Sequence, residues 1–142
     1  MKSIEEIQQE VIDEFGMYED WMDKYNYLIE LGRDLPVIDA RHKVSDNLIS
    51  GCQSRVWLHA AFEQGNIHFT ADSDSVITKG IIALLIRLLS GRLPEEIMQA
   101  DLHFIDRIGL RQNLSPTRSN GLLSMIKQMK LYALAFQTKA RT

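Results

Sequence analysis

The sequence predicts an α+β domain, in which a small antiparallel β-sheet of about three strands packs against several helices. Helical spacing of apolar residues dominates both ends of the chain, whereas alternation with a period of two is confined to residues 55–71. Apolar residues make up 45% of the 142 residues, which is enough to form one core. We therefore expect a single domain over residues 1–142.

Two amphipathic helices are predicted before the sheet. The first covers residues 4–15, opens with a capping box and ends at Gly16. The second runs from about residue 18 to residue 31, and Gly32 is expected to take the left-handed conformation of a helix C-cap. Residues 33–46 are polar and are predicted to form a connecting loop.

A β-hairpin is predicted in the middle of the chain. Two alternating segments flank residues 64–66, whose sequence Gln-Gly-Asn is typical of a tight turn. An isolated hairpin is only marginally stable in water. We therefore expect residues 47–49 to add a short third strand.

The second half of the chain is predicted to be helical. Residues 76–90 are apolar nearly all round, which indicates a central buried helix. Short helices are predicted to begin at Pro94 and to cover about residues 102–108. Ser115 and Pro116 form a good N-cap and first-turn pair for a long last helix.

Composition and cysteine count exclude several classes of protein. Cys52 is the single cysteine, so no intramolecular disulfide can form and no four-cysteine zinc or iron–sulfur site can come from one chain. The amino terminus leads directly into a charged amphipathic segment, and no apolar stretch is long enough to span a bilayer. A cytoplasmic protein without a membrane partner is expected.

Charge is distributed unevenly along the chain. Residues 1–40 carry a net charge of −8 and residues 41–142 a net charge of +5, and seven bases but no acid follow Asp106. A basic end can mark a nucleic-acid interface. The alternative is that the dispersed bases complement the dipole of the last helix and face the acidic N-terminal segment. We favour this alternative and expect no nucleic-acid partner.

Cys52 is the first candidate for chemistry, because it is the only soft nucleophile. Gly51 before it allows a sharp turn, and Gln53 and Ser54 after it continue a polar loop. Arg55 would lower the pKa of the thiol if the turn brought the guanidinium close to the sulfur. The alternative is that the lone cysteine is a small buried apolar residue.

Other catalytic patterns are weaker. A cysteine hydrolase would need a histidine beside the thiol. The chain offers four candidates, none in a recognisable motif: His42, His59, His68 and His103. No metal-binding motif is present, and no metal is expected.

Arg118 is unusual because it lies at the N-terminal end of the last predicted helix, where the helix dipole disfavours a cation. Its presence there indicates either an anionic group nearby, such as a carboxylate or a thiolate, or a solvated side chain at a frayed helix end.

Four segments in family order resemble the SufE family of sulfur-acceptor proteins, which work with cysteine desulfurases in iron–sulfur cluster assembly. The matching segments are residues 21–32, 51–57, 72–83 and 114–122. Together they span most of the chain. The resemblance implies an α+β fold shared with cluster scaffold proteins, with the acceptor cysteine on a loop at the edge of the sheet.

The resemblance assigns the acceptor role to Cys52. We expect four further residues to support the loop or the partner interface: Gly51, Gln53, Ser54 and Arg118. The expected partners are a SufS-like cysteine desulfurase, which brings pyridoxal phosphate, and a cluster scaffold that receives the sulfur. The chain itself is expected to hold no cofactor beyond a transient Cys52 persulfide. It would stimulate the desulfurase as a co-catalyst rather than act as a stand-alone enzyme. The alternatives are a cluster scaffold, a nucleic-acid-binding module and a cysteine hydrolase.

Overall fold

The computed structural model describes residues 2–52 and 54–141, and the side chains of residues 140 and 141 are not described. It confirms the α+β class. The described chain contains seven α-helices and a two-stranded antiparallel sheet. The elements, in chain order, are α1 (Ile4–Gly16), α2 (Trp21–Arg33), β1 (Val56–Glu63), β2 (Asn66–Ser73), α3 (Val76–Leu89), α4 (Pro94–Gln99), α5 (Phe104–Arg107), α6 (Leu110–Asn113) and α7 (Pro116–Arg141).

Helix α3 lies at the centre of the molecule, as its apolar sequence predicts. Leu84, Leu85, Leu88 and Leu89 are all at most 1% exposed. The helix packs against α1, α2, β2 and α7, so its apolar circumference is covered from several sides.

The hairpin forms around the predicted turn. Strand β1 pairs with β2 from Val56 opposite Ser73 to Glu63 opposite Asn66. Gln64 and Gly65 have φ values of 53° and 84°, as a two-residue turn between twisted strands requires.

The expectation of a third strand is wrong. Leu48 makes only a single bridge to Trp57, and the Ile49 amide donates to the Val56 carbonyl at 2.9 Å. A 3₁₀ turn at Ser45–Asn47 and the sharp turn at Gly51 leave too few extended residues between them to continue the pairing.

The role predicted for Gly32 is also wrong. Helix α2 continues to Arg33, so Gly32 lies inside it. The glycine is needed for packing, because a Cβ there would lie 2.8 Å from the backbone nitrogen of Gly80. Helices α2 and α3 therefore cross at two glycines, where their backbones approach closely.

Two further boundaries differ from the sequence predictions. Helix α2 begins at Trp21, because the Asp20 side chain accepts a hydrogen bond from the Asp23 amide and caps the helix there. The helix expected at residues 102–108 is α5, and a second short helix, α6, follows it after Gly109, whose φ is +80°.

Acidic residues of helix α1 pair with an arginine of the central helix rather than with the basic C-terminal end of the chain. Glu14 forms a bidentate pair with Arg87 of α3 at 2.6 and 3.0 Å, and Glu10 approaches the same guanidinium at 3.3 Å. The pairing lowers the pKa of Glu14, with its hydrogen bonds to Arg87 as the main cause. The expectation that α1 faces the C-terminal bases is therefore replaced by an ion pair with the central helix.

Candidate functional site

Cys52 lies on the loop between the Leu48 bridge and strand β1, as the sequence predicts. Gly51 turns the chain with a φ of +87°, a conformation that residues with a side chain rarely adopt. A Cβ at Gly51 would also lie 2.7 Å from the Ser124 hydroxyl oxygen on α7. Glycine therefore lets the loop both turn and lie against α7.

The Cys52 sulfur points toward the first turns of α7. Its thiol donates to the Gly121 carbonyl at 3.6 Å, and the residue is half-buried. A Cβ at Gly121 would lie 3.5 Å from the sulfur, an ordinary van der Waals contact, so the helix backbone passes close to the loop at this position. The loop is thus docked on α7 in the resting state.

The other end of the loop is fixed by Asp74, in the connection between β2 and α3. The Arg55 amide donates to the Asp74 carboxylate at 3.1 Å, and the Asp74 amide donates to the Arg55 carbonyl at 3.3 Å. These reciprocal bonds hold the point where the cysteine loop enters β1. Cys52 therefore lies between two attachments, one at α7 and one at Asp74.

A cleft of about 510 Å³ opens beside the sulfur. One part of its wall is apolar and comes from Val56, Ile81 and Met125. The remaining lining is polar and comes from Ser54, Asp74, Ser75, Thr78, Thr117 and Arg118, together with Cys52 and Gly121. The cleft is much larger than the roughly 30 Å³ that one water occupies in the liquid, so it has room for more than one added sulfur atom.

The structure places the predicted site residues as follows. Cys52, Ser54 and Arg118 line the same cleft, and Gly51 provides the turn before it. Gln53 lies outside the described residues. Arg55 is not among the cleft-lining residues, so its backbone rather than a contact with the sulfur connects it to the site.

Burial raises the pKa of the Cys52 thiol above its usual range. A cation close to the sulfur would shift the pKa in the opposite direction, so the expected lowering by Arg55 is not found in this conformation. The raised pKa fits the contact with Gly121, because only the protonated thiol can donate a hydrogen bond to a carbonyl. The docked cysteine is therefore protected but weakly nucleophilic.

Alkylation of Cys52 by iodoacetamide is expected to reach its half-maximal rate at a higher pH in the folded protein than in the same chain unfolded in urea. Because the folded state keeps the thiol proton to higher pH, the free energy of unfolding should fall as pH rises through the interval between the unfolded and folded pKa values. Rate–pH profiles of the native and denatured chain provide the measurement. A native midpoint at or below the denatured one would show that a cation outweighs burial.

A Gly51→Ala variant is expected to expose Cys52. Alanine in the left-handed region costs about 1–2 kcal/mol per residue, which would shift the balance between docked and undocked loop by about fivefold to thirtyfold. Alkylation of Cys52 should accelerate accordingly. Gly65→Ala is the matched control, because Gly65 has a φ of +84° but lies in the hairpin turn with nothing within 4 Å of the added Cβ. Equal rates in both variants would refute the role of Gly51.

The histidines do not support a hydrolase. None of the described residues that line the cleft is a histidine. His42 stacks on His59 with ring centroids 3.5 Å apart, and His103 bonds to Glu5 at 2.6 Å. Among the described residues that line the cleft, the thiol therefore has no imidazole to act as a general base.

Sequence reasoning missed three residues that contact or hold the cysteine loop, in addition to most of the cleft wall. Gly121 is an isolated glycine in a helical pattern, a signal that can mark close packing. Asp74 precedes Ser75, whose hydroxyl accepts the capping hydrogen bond from the Thr78 amide, and its own bond to the Arg55 amide gives no local sequence signal. Ser124 gave no signal, because its role depends on the tertiary contact with the loop.

Comparison with known proteins identifies the family. The family profile described as "SufE: Fe-S metabolism associated domain" matches residues 9–133. The chain belongs to the SufE family. Its SufE domain thus includes the cysteine loop, the sheet, the central helix and most of α7, and family membership supports a role in Fe–S metabolism.

Several SufE-like proteins are similar to the chain. SufE-like protein 1, chloroplastic/mitochondrial, of Arabidopsis thaliana is 42% identical over 132 residues, which are 92% of this chain and 36% of that protein. The chain therefore spans about a third of that relative. Uncharacterized SufE-like proteins of Rhizobium meliloti and Synechocystis are 39% and 35% identical, over 85% and 89% of this chain and 90% and 80% of their own lengths.

The SufE fold also matches a solved structure. A solution structure of a hypothetical protein from Thermus thermophilus superposes with a TM-score of 0.76 at 19% identity, and covers 93% of this chain and 96% of that one. At this identity the likeness shows the fold.

Within residues 2–52 and 54–141, no helix is both long and apolar enough to cross a bilayer.

Proposed function

We propose that the protein takes a sulfane sulfur from the persulfide of a pyridoxal-phosphate-dependent cysteine desulfurase onto Cys52, stimulates that enzyme, and delivers the sulfur for iron–sulfur cluster assembly. The observation that carries the proposal is the position of the only thiol of the chain. Cys52 lies half-buried on a docked loop, beside a cleft with room for its cargo.

The transfer is a thiol–persulfide exchange. The Cys52 thiolate attacks the outer sulfur of the desulfurase persulfide, the S–S bond of that persulfide breaks, and the desulfurase cysteine leaves as a thiolate. A new S–S bond forms on Cys52, so one sulfur atom moves and no external oxidant or reductant is needed. The rate depends on the thiolate fraction and on access to the sulfur.

A single cysteine suits a carrier. A second thiol nearby would attack the Cys52 persulfide, form a disulfide and release the sulfur as sulfide. The chain has only one cysteine, so this loss within one molecule cannot occur. The apolar wall formed by Val56, Ile81 and Met125 would shield the bound sulfur from solvent reductants.

The docked loop must open for transfer. In the resting state the thiol donates to Gly121 and burial raises its pKa, so the attacking thiolate forms more readily once the loop leaves α7. We propose that docking of the desulfurase draws the loop outward about Gly51. Hydrogen exchange at residues 50–55 should accelerate when the desulfurase is added, and unchanged protection would refute the opening.

Arg118 supports the charged states of the reaction. It is exposed at the cleft, in the first turn of α7, where the positive end of the helix dipole also favours a nearby anion. A persulfide anion carried on Cys52 in the cleft would therefore be stabilised by Arg118. This role would explain why an arginine is found at the N-terminal end of α7, where the helix dipole disfavours a cation.

Intact-protein mass spectrometry tests the proposal. The protein is incubated with free cysteine and a cysteine desulfurase of the same cell, and alanine release is followed in parallel. A gain of one sulfur atom that dithiothreitol removes, mapped to the peptide containing Cys52, together with faster alanine release, is the expected result. No gain, with a desulfurase shown to be active in the same mixture, would overturn the assignment.

A further inference from the structure

Helix α7 presents a second surface, which the proposed sulfur transfer does not use. We call it the α4–α7 groove; its volume is about 430 Å³. It is lined by Met98, Leu123, Ile126, Lys127, Lys130, Leu131 and Leu134. Apart from Met98 of α4, all of these residues belong to α7.

The groove exposes large apolar side chains. Leu123, Leu131 and Leu134 are 47%, 46% and 46% exposed. Nearly half of each leucine is therefore exposed to solvent. Their spacing of eight and three residues places them along one stripe of the helix. Met98 and Ile126 line the same groove, so the exposed leucines have apolar neighbours rather than standing singly.

The stripe is long enough to contact several turns of a partner helix. Leu123 and Leu134 are eleven residues apart, which corresponds to about 16 Å along the axis of α7, or three turns. An amphipathic helix of similar length could lay its apolar face against this stripe.

The charges of the groove select the partner. Lys127 and Lys130 are the only ionisable residues that line it in the described chain. Lys130 donates to the Ala100 carbonyl at 2.8 Å, whereas no carboxylate of the described residues pairs with the exposed Lys127. A partner that carries a carboxylate opposite Lys127 can therefore pair with it without displacing a carboxylate of this chain.

The same charges disfavour a second copy of the chain as the occupant. Pairing two grooves about a two-fold axis at their centre would bring Lys127 of each copy together. Like charges at the centre of an interface oppose association. The groove therefore fits a different protein better than it fits itself.

We propose that the α4–α7 groove binds an amphipathic helix of a partner protein, with a leucine-type apolar stripe flanked by Asp or Glu opposite Lys127. Leu134 follows Met125 of the cysteine cleft by nine residues, which places the two half a turn apart around α7. The helix thus separates the groove from the cleft. A partner can be held on one side of α7 while Cys52 is used on the other.

Two fluorescent synthetic peptides of about four helical turns, roughly 15 residues, test the proposal by anisotropy. Both carry the same leucine stripe, flanked by glutamate in one peptide and by lysine in the other. The glutamate peptide is expected to bind saturably to the full chain, about fivefold more tightly than the lysine peptide. Lys127→Glu should reverse this preference, and Leu131→Ser or Leu123→Ser should weaken binding of the glutamate peptide.

A folding control and several contradicting outcomes complete the test. Circular dichroism checks that each variant is folded. Leu123, Lys127 and Leu131 are all exposed, so we expect the three variants to remain folded. Binding of neither peptide, equal binding of both, or a preference that Lys127→Glu leaves unchanged would overturn the proposal. So would a concentration-dependent dimer in sedimentation velocity that Leu131→Ser disperses, because a second copy would then be the occupant. The bound glutamate peptide should leave the rate of Cys52 alkylation unchanged, and a change would show that the two surfaces are not separate.

Discussion

A Cys52→Ser variant is expected to gain no sulfur from an active cysteine desulfurase and to leave the rate of alanine release at the level of the desulfurase alone. Serine has nearly the same shape, and the turn at Gly51 and the bonds between Arg55 and Asp74 do not involve the sulfur, so the docked loop should be preserved. The alcohol, however, cannot replace the thiolate as the attacking nucleophile on a persulfide sulfur. The loss should therefore be complete although the fold is intact.

Two controls separate chemistry from structure. Wild-type protein alkylated at Cys52 should be as inactive as the serine variant, and the circular dichroism spectrum of Cys52→Ser should match that of the wild type. Full stimulation by Cys52→Ser without sulfur gain would reveal an allosteric activator rather than a carrier. Sulfur gain by the serine variant would place the acceptor elsewhere.

A Gly80→Ala variant is expected to lose about 3 kcal/mol of unfolding free energy, at the upper end of the usual overpacking cost. The added Cβ would lie 2.1 Å from the Leu28 carbonyl oxygen and 2.7 Å from its carbonyl carbon. These are backbone atoms of α2 and cannot rotate away, so the two helices would have to separate. The separation would disturb the packing around Leu28, which is fully buried.

Urea denaturation measures this loss as a lower midpoint at an unchanged m-value. Gly16→Ala is the matched control: it makes the same chemical change at the end of α1, where nothing lies within 4 Å of the added Cβ. Its stability should be equal to that of the wild type or higher by up to about 1 kcal/mol. A loss at Gly16 similar to that at Gly80 would mean that the close crossing of α2 and α3 is not the cause.

Local sequence patterns were sufficient to predict an element wherever its conformation depends mainly on residues close to it in the chain. The turn at Gln64 and Gly65, the buried helix α3 and the start of α7 after Ser115 follow from alternation, apolar composition and capping chemistry, which act over a few residues. The short strand expected around Leu48 failed for the complementary reason. Its existence depended on how many residues the flanking turns would leave for pairing.

The glycines show where sequence reasoning reaches its limit. At Gly51 a sharp turn was predicted, and the backbone has a φ of +87°. At Gly32 the sequence predicts a left-handed helix C-cap, but the residue is helical and allows a close crossing with Gly80, 48 positions away in the chain. A glycine in the sequence indicates that a side chain would be unfavourable at that position. Only the tertiary structure shows whether the cause is a positive φ, as at Gly51, or close packing against a distant residue, as at Gly32.

The sequence by itself determined the α+β class and singled out Cys52 and Arg118, because these depend on local periodicity and on residue chemistry. The tertiary structure alone decided that the thiol rests against Gly121, that Asp74 holds the far end of its loop, and that Arg118 shares the cleft. It also decided the direction of the pKa shift of Cys52. The physical reason is that burial and contacts between residues about 20 to 70 positions apart arise only when helices and loops pack together.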